Sequence, residues 1–95
     1  MVRPNIVFMM PNQLRHDFLS CYGANFTETP NIDALGQQGI CYNQAYSEHP
    51  VCVAARASLL TGMNAIINGL LSNGQYLRDD YQNCGLQTWP ELLGE

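Results

Sequence analysis

The apolar residues of this chain fall into short blocks, and proline and glycine separate them. Asn5 to Met10 is a continuous apolar run between Pro4 and Pro11. It predicts a buried strand of the kind found in parallel sheets. Gln13 to Tyr22 mixes polar and apolar residues at helical spacing, with Gly23 as a stop. Thr29 to Leu35 opens a helix: Thr29 is the N-cap candidate, Pro30 suits the first turn, and Asp33 complements the helix dipole. Gly39 ends that helix. Ile40 to Tyr46 has strand composition, with Ile40, Tyr42 and Tyr46 on one parity and Cys41 and Ala45 on the other. A short helix is predicted from Ala54 to Leu60, ended by Gly62. Another opens at Thr88 to Leu93, where Thr88 and Glu91 have capping-box spacing. Strands alternating with helices predict the opening of an α/β sheet. A parallel sheet needs helices on both faces, and 95 residues are too few to complete that arrangement.

Composition sharpens this picture. Charged residues make up 13% of the chain against 46% apolar, roughly half the charged share of about 25% in ordinary domains. Such a chain either packs against something else or is part of a larger fold. Eight acidic residues face four arginines, for a net charge of −4. This excludes the clustered cations that a nucleic-acid partner requires, and it leaves no polybasic patch for a membrane surface. No apolar run approaches the roughly 20 residues of a membrane helix. No leader pattern opens the chain. The reading is therefore a cytoplasmic protein as written, or a periplasmic or secreted one if a leader precedes it. Cys21, Cys41, Cys52 and Cys84 contain no C-x-x-C pair, so neither a zinc site nor a redox dithiol is expected.

The chemistry concentrates in Pro50 to Gly62. Cys52 precedes a predicted helix, and helix N-termini carry N–H groups and a partial positive charge that favour thiolates and anions. Arg56 follows one turn later on the same face. A nucleophile, an anion-binding helix end and an arginine together suit attack on a tetrahedral oxyanion ester. The spacing alone also fits a buried cysteine beside a surface arginine. His16 reads as a surface residue, His49 as a packing or turn residue, and Asp79 and Asp80 as a solvated turn. Asn25-Phe26-Thr27 spells a glycosylation sequon, relevant only in a secretory eukaryotic setting.

Cys52-Val53-Ala54-Ala55-Arg56, followed by Leu60-Thr61-Gly62, resembles the signature of the sulfatase family. Other segments resemble the family in the same order: Arg3 to Phe8 its opening strand, Cys21-Tyr22-Gly23 its C-Y-G turn, Thr29 to Leu35 its T-P-N-[IL]-D-x-L helix. Ala45-Tyr46 is similar to the residues ahead of the signature, and Thr88 to Leu93 to a segment beyond it. The resemblance spans nearly all of the chain.

The resemblance implies an alkaline-phosphatase-like α/β/α sandwich with a mainly parallel sheet. Residues 1–95 would be the N-terminal portion of its catalytic domain, with the sheet incomplete. It implies hydrolysis of sulfate esters, with Cys52 oxidised to formylglycine by a separate formylglycine-generating maturation enzyme that reads Cys52, Ala54 and Arg56. The hydrated aldehyde attacks sulfur, and the aldehyde returns as sulfate leaves. Arg56 would hold the diol beside a divalent metal, Ca2+ or another such as Mg2+ or Mn2+. Two positions depart from the family pattern. Ala54 stands where Pro is commoner. Asn12 and Gln13 stand at the end of the first predicted strand, where the family places metal-binding Asp. They are candidates for the metal shell, together with Cys52 as formylglycine, or else form a plain strand-end turn. Calcium affinity falls with ligand charge, so the site would be weakened. The alternatives are a phosphonate or phosphodiester hydrolase of the same superfamily, and a non-catalytic truncated relic with an impaired metal site.

Overall fold

A helix whose buried face consists only of small residues organises the C-terminal half of the chain. In the computed structural model, which describes residues 2–94, four α-helices form: α1 (Pro30–Gln38), α2 (Cys52–Thr61), α3 (Ala65–Asn68) and α4 (Trp89–Gly94). Short 3-10 turns occupy His16–Phe18, Ser20–Tyr22 and Tyr81–Cys84. The chain divides into two compact units, Met1–Gln44 and Ala45–Glu95.

Among the described residues no strand forms, so the expected parallel sheet is not confirmed. Asn5 to Met10 and Ile40 to Tyr46 carry no secondary structure, and all of their side chains are exposed. A parallel strand is held by ladder bonds to a neighbouring strand and by helices on its faces. Neither segment has such a neighbour here. Gln13 to Tyr22 also departs from its predicted helix, becoming two 3-10 turns that end at Gly23, with φ at 96°.

In Met1–Gln44, α1 begins at Pro30 and closes at Gly39, as predicted. Thr29 precedes it but makes no side-chain cap. Its hydroxyl instead accepts the Ser20 N–H at 3.0 Å and donates to Asp33 Oδ1 at 2.9 Å. Asp33 Oδ1 also accepts the Cys21 N–H at 2.9 Å, and Ser20 Oγ accepts the Thr29 N–H at 3.1 Å. The T-P-N-I-D and C-Y-G segments are therefore stitched to each other. The cap was read from residue type alone, and a long-range partner outcompeted the local one.

In Ala45–Glu95, α3 and α4 pack on α2. Ala54 has no exposed area, and Ala57, Ser58, Ala65, Leu70 and Leu86 are buried. Among the described residues Asn68 is the one buried side-chain amide. It donates to Ser58 Oγ at 3.3 Å and to the Met63 carbonyl at 3.1 Å, and it accepts the Leu70 N–H at 2.9 Å. At the start of α2, Asn73 Oδ1 accepts the Val53 N–H at 3.2 Å. This satisfies a first-turn donor that has no partner within the helix. At α4 one arm of the expected capping box forms: Glu91 Oε2 accepts the Thr88 N–H at 2.8 Å, and the Thr88 hydroxyl donates to the same oxygen at 2.7 Å. Tyr81 OH and Gln82 Nε2 donate to the other carboxylate oxygen.

Two measurable consequences follow from these caps. The Tyr81 hydroxyl first, then the Thr88 amide and hydroxyl, hold Glu91 down at about 2 from an ordinary 4.5. A carboxylate lowered on folding contributes its full stabilisation above the unfolded value and loses it as pH falls through the folded one. Stability followed by fluorescence of Trp89, the sole tryptophan, should therefore fall between pH 4.5 and about 2. Glu91→Gln should flatten that part of the slope and lower stability at neutral pH. At α2, Asn73→Ala should cost about 1 kcal/mol in urea denaturation, the usual worth of a helix cap, and speed hydrogen exchange at the Val53 amide. Asn73→Asp keeps the acceptor and adds a charge that the helix dipole favours, so it should restore both.

Candidate functional site

Cys52 is the first residue of α2, two positions earlier than the predicted helix start. The lead-in is an extended Val51, with φ −91° and ψ 134°. His49 shapes it: its Nδ1 accepts the Val51 N–H at 3.1 Å, and its carbonyl accepts the Ser47 hydroxyl at 2.9 Å. His49 is thus a turn-forming residue, as its sequence position beside Pro50 suggests. Cys52 is half-buried and Arg56 exposed, one helical turn apart on α2. The helix ends at Gly62, whose φ of 66° needs a glycine.

The first turn also accounts for Ala54. The third helical residue has no intrahelical duty for its N–H, so proline and alanine both fit there without breaking the helix. The position is fully buried, which limits it to a small side chain. Asn73 is the contributor to this helix end that sequence reasoning missed. Its only signal was the Asn73-Gly74 pair, a turn marker, and Gly74 does adopt a φ of 85°.

Asn12 and Gln13 lie in the other unit, both exposed in a turn. Gln13 has a φ of 56°, in the left-handed region, where a residue other than glycine stores about 1–3 kcal/mol. Among the described residues no group of three or more His, Cys, Asp or Glu side chains could hold a metal ion. Two neutral amides bring oxygens but no charge, so Asn12 and Gln13 do not by themselves make a divalent-cation centre. His16 is exposed and stacks edge-on to Tyr22 at 5.9 Å. Asp80 pairs with Arg78 at 2.8 Å on an exposed turn. No described helix is long and apolar enough to cross a membrane.

Comparison with known proteins bears on this geometry. The sulfatase family model matches residues 4–95. An arylsulfatase of Clostridium perfringens is 39% identical over 86% of this chain and 17% of its own length. An N-acetylglucosamine-6-O-sulfatase of Bacteroides thetaiotaomicron is 36% identical over 96% of the chain and 15% of its own length. Human arylsulfatase D is 40% identical over 94% and 15%. The chain thus spans under a fifth of the length of these relatives. No solved structure matches it. With the signature cysteine opening a helix, its arginine one turn on, and the family model covering nearly every residue, the chain belongs to the sulfatase family.

Proposed function

We propose that this chain carries the nucleophile segment of a hydrolase acting on sulfate esters, with Cys52 as the formylglycine precursor. The observation that supports this most directly is Cys52 as the first residue of α2, with Arg56 one turn behind it. The relatives bearing sulfatase names point to the same substrate class. In this reading the N-terminus of α2 favours the negative charge of the ester, and Arg56 supplies a fixed cation beside the modified side chain. Asn73 keeps the first turn of the helix formed. The family's divalent metal supplies Lewis acidity when bound. Asn12 and Gln13 would offer it only neutral oxygens. We extend the reading to the fold: Asn5 to Met10 is a strand of an α/β/α sandwich that forms only when neighbouring strands pair with it.

Cys52 is tested by co-expression with a formylglycine-generating enzyme and peptide mass spectrometry. Cys52 should appear as the lighter aldehyde, with Cys21, Cys41 and Cys84 unchanged. Arg56→Ala should reduce conversion by about tenfold, equivalent to about 1.4 kcal/mol. Recovery of Cys52 only as the thiol, with both aerobic and anaerobic maturation enzymes, would overturn the assignment.

A second reading rests on Asn12 and Gln13, whose lack of charge favours a family member with an impaired metal site. Calorimetric calcium titration separates the two. Asn12→Asp should tighten binding several-fold if this turn faces the metal. If the substitution leaves calcium binding unchanged, Asn12 and Gln13 form a plain turn.

A further inference from the structure

A cleft of about 360 Å³ in the Met1–Gln44 unit is lined by Ser20, Cys21, Asp33, Gly36, Gln37 and Cys41. Both cysteines are exposed to solvent, and both are free thiols. Two contacts place them beside the same face of α1, and a third ties their neighbours together. The backbone of Cys21 is held by Asp33, through its N–H at 2.9 Å. The Cys41 sulfur lies so close to Gly36 that a Cβ added there would sit 2.8 Å from it. Asp33 and Gly36 are three residues apart on α1 and so share a face, with a rise of about 4.5 Å between them. The third contact joins the neighbours of the two cysteines: Tyr22 OH donates to the Tyr42 carbonyl at 2.9 Å. Both cysteines thus line one small cleft beside the same stretch of α1.

We propose that Cys21 and Cys41 are a dithiol that closes to a disulfide across this cleft, by exchange with an oxidised low-molecular-weight disulfide of the glutathione type. One protein thiolate attacks a sulfur of oxidised glutathione, forming a mixed disulfide and expelling one glutathione thiolate. The second protein thiolate attacks the protein-side sulfur, forms the Cys21–Cys41 bond and expels the second glutathione. Both protein thiols give up their protons. Two electrons pass from the pair to the oxidant, which leaves as two reduced glutathiones. Desolvation in the cleft, then the charge of Asp33, push the Cys21 thiol up from its ordinary value, so closure accelerates in alkaline buffer. The proposal is independent of Cys52 and of sulfatase activity. It differs from the sequence expectation, which found no dithiol because these cysteines are distant along the chain.

The test incubates the full chain in a glutathione redox buffer, blocks remaining thiols, and maps linked peptides by mass spectrometry. Chymotryptic cleavage after Tyr22, Tyr42 and Tyr46 separates Cys21, Cys41 and Cys52. The same reaction in urea gives the unfolded reference, where the shorter Cys41–Cys52 loop is entropically favoured. An equal mixture of ¹⁴N- and ¹⁵N-labelled chain distinguishes links within a molecule from links between molecules. The expected result is a several-fold excess of intramolecular Cys21–Cys41 over every other pair, seen only without urea. Gly36→Ala raises helix propensity, so α1 persists by circular dichroism, but its methyl displaces the Cys41 sulfur and should remove most of the excess. The proposal is overturned if Cys21–Cys41 is no richer without urea, if its links are hybrid-labelled, or if Gly36→Ala leaves the yield intact.

Discussion

The buried amide of Asn68 holds together the half of the chain that carries the signature. It takes Ser58 from α2, the Met63 carbonyl from the turn that follows, and Leu70 from the segment beyond α3. A buried amide left without partners costs about 1–3 kcal/mol, so this geometry is tightly specified. It fixes the approach of α3 to α2, and that approach requires small residues: Ala54, Ala57 and Ser58 on one helix, Ala65 on the other. The core is thin, and among the described residues no large side chain is fully buried. Polar stitching therefore carries a larger share of the specification than in a domain with a thick apolar core.

The position of Cys52 follows from that arrangement. α2 is anchored by its buried alanine face, so its first residue cannot drift. Its start is then set by an extended Val51, the His49 turn and the Asn73 side chain. The result is a half-buried cysteine on a helix end with an arginine one turn away, a local environment made by residues on both sides of the signature. The Met1–Gln44 unit uses the same strategy with other residues. Thr29, Asp33 and Ser20 exchange side-chain and backbone hydrogen bonds and so bring two motifs into contact. These motifs would otherwise be read only as a turn and a helix start.

The exposed apolar runs, Ile6 to Met10 above all, show what these local devices do not achieve. A strand is stabilised by partners distant in sequence, whereas capping, glycine stops and short helices are closed by residues a few positions apart. The structure accordingly realises the second class and leaves the first unformed. The low charged fraction expresses the same fact in composition, because apolar surface is present without enough partners to cover it.

The sequence by itself determined the family, through the ordered motifs from Arg3 to Leu93, and it determined both ends of α1, the end of α2 and the start of α4. Pro30, Gly39, Gly62 and the Thr88–Glu91 pair act within one or two turns, so their effect can be read from spacing. It also singled out Cys52 and Arg56, because residues four apart share a helix face wherever the helix lies. Tertiary structure decided what depends on distant partners. It tied Thr29 to Ser20 as well as to Asp33 of α1, brought Asn73 to the start of α2, buried Asn68, and set Cys21 and Cys41 beside one face of α1. Among the described residues it left the two predicted strands unformed. Each of these outcomes involves at least one group nine or more residues away, and no periodicity along the chain records them.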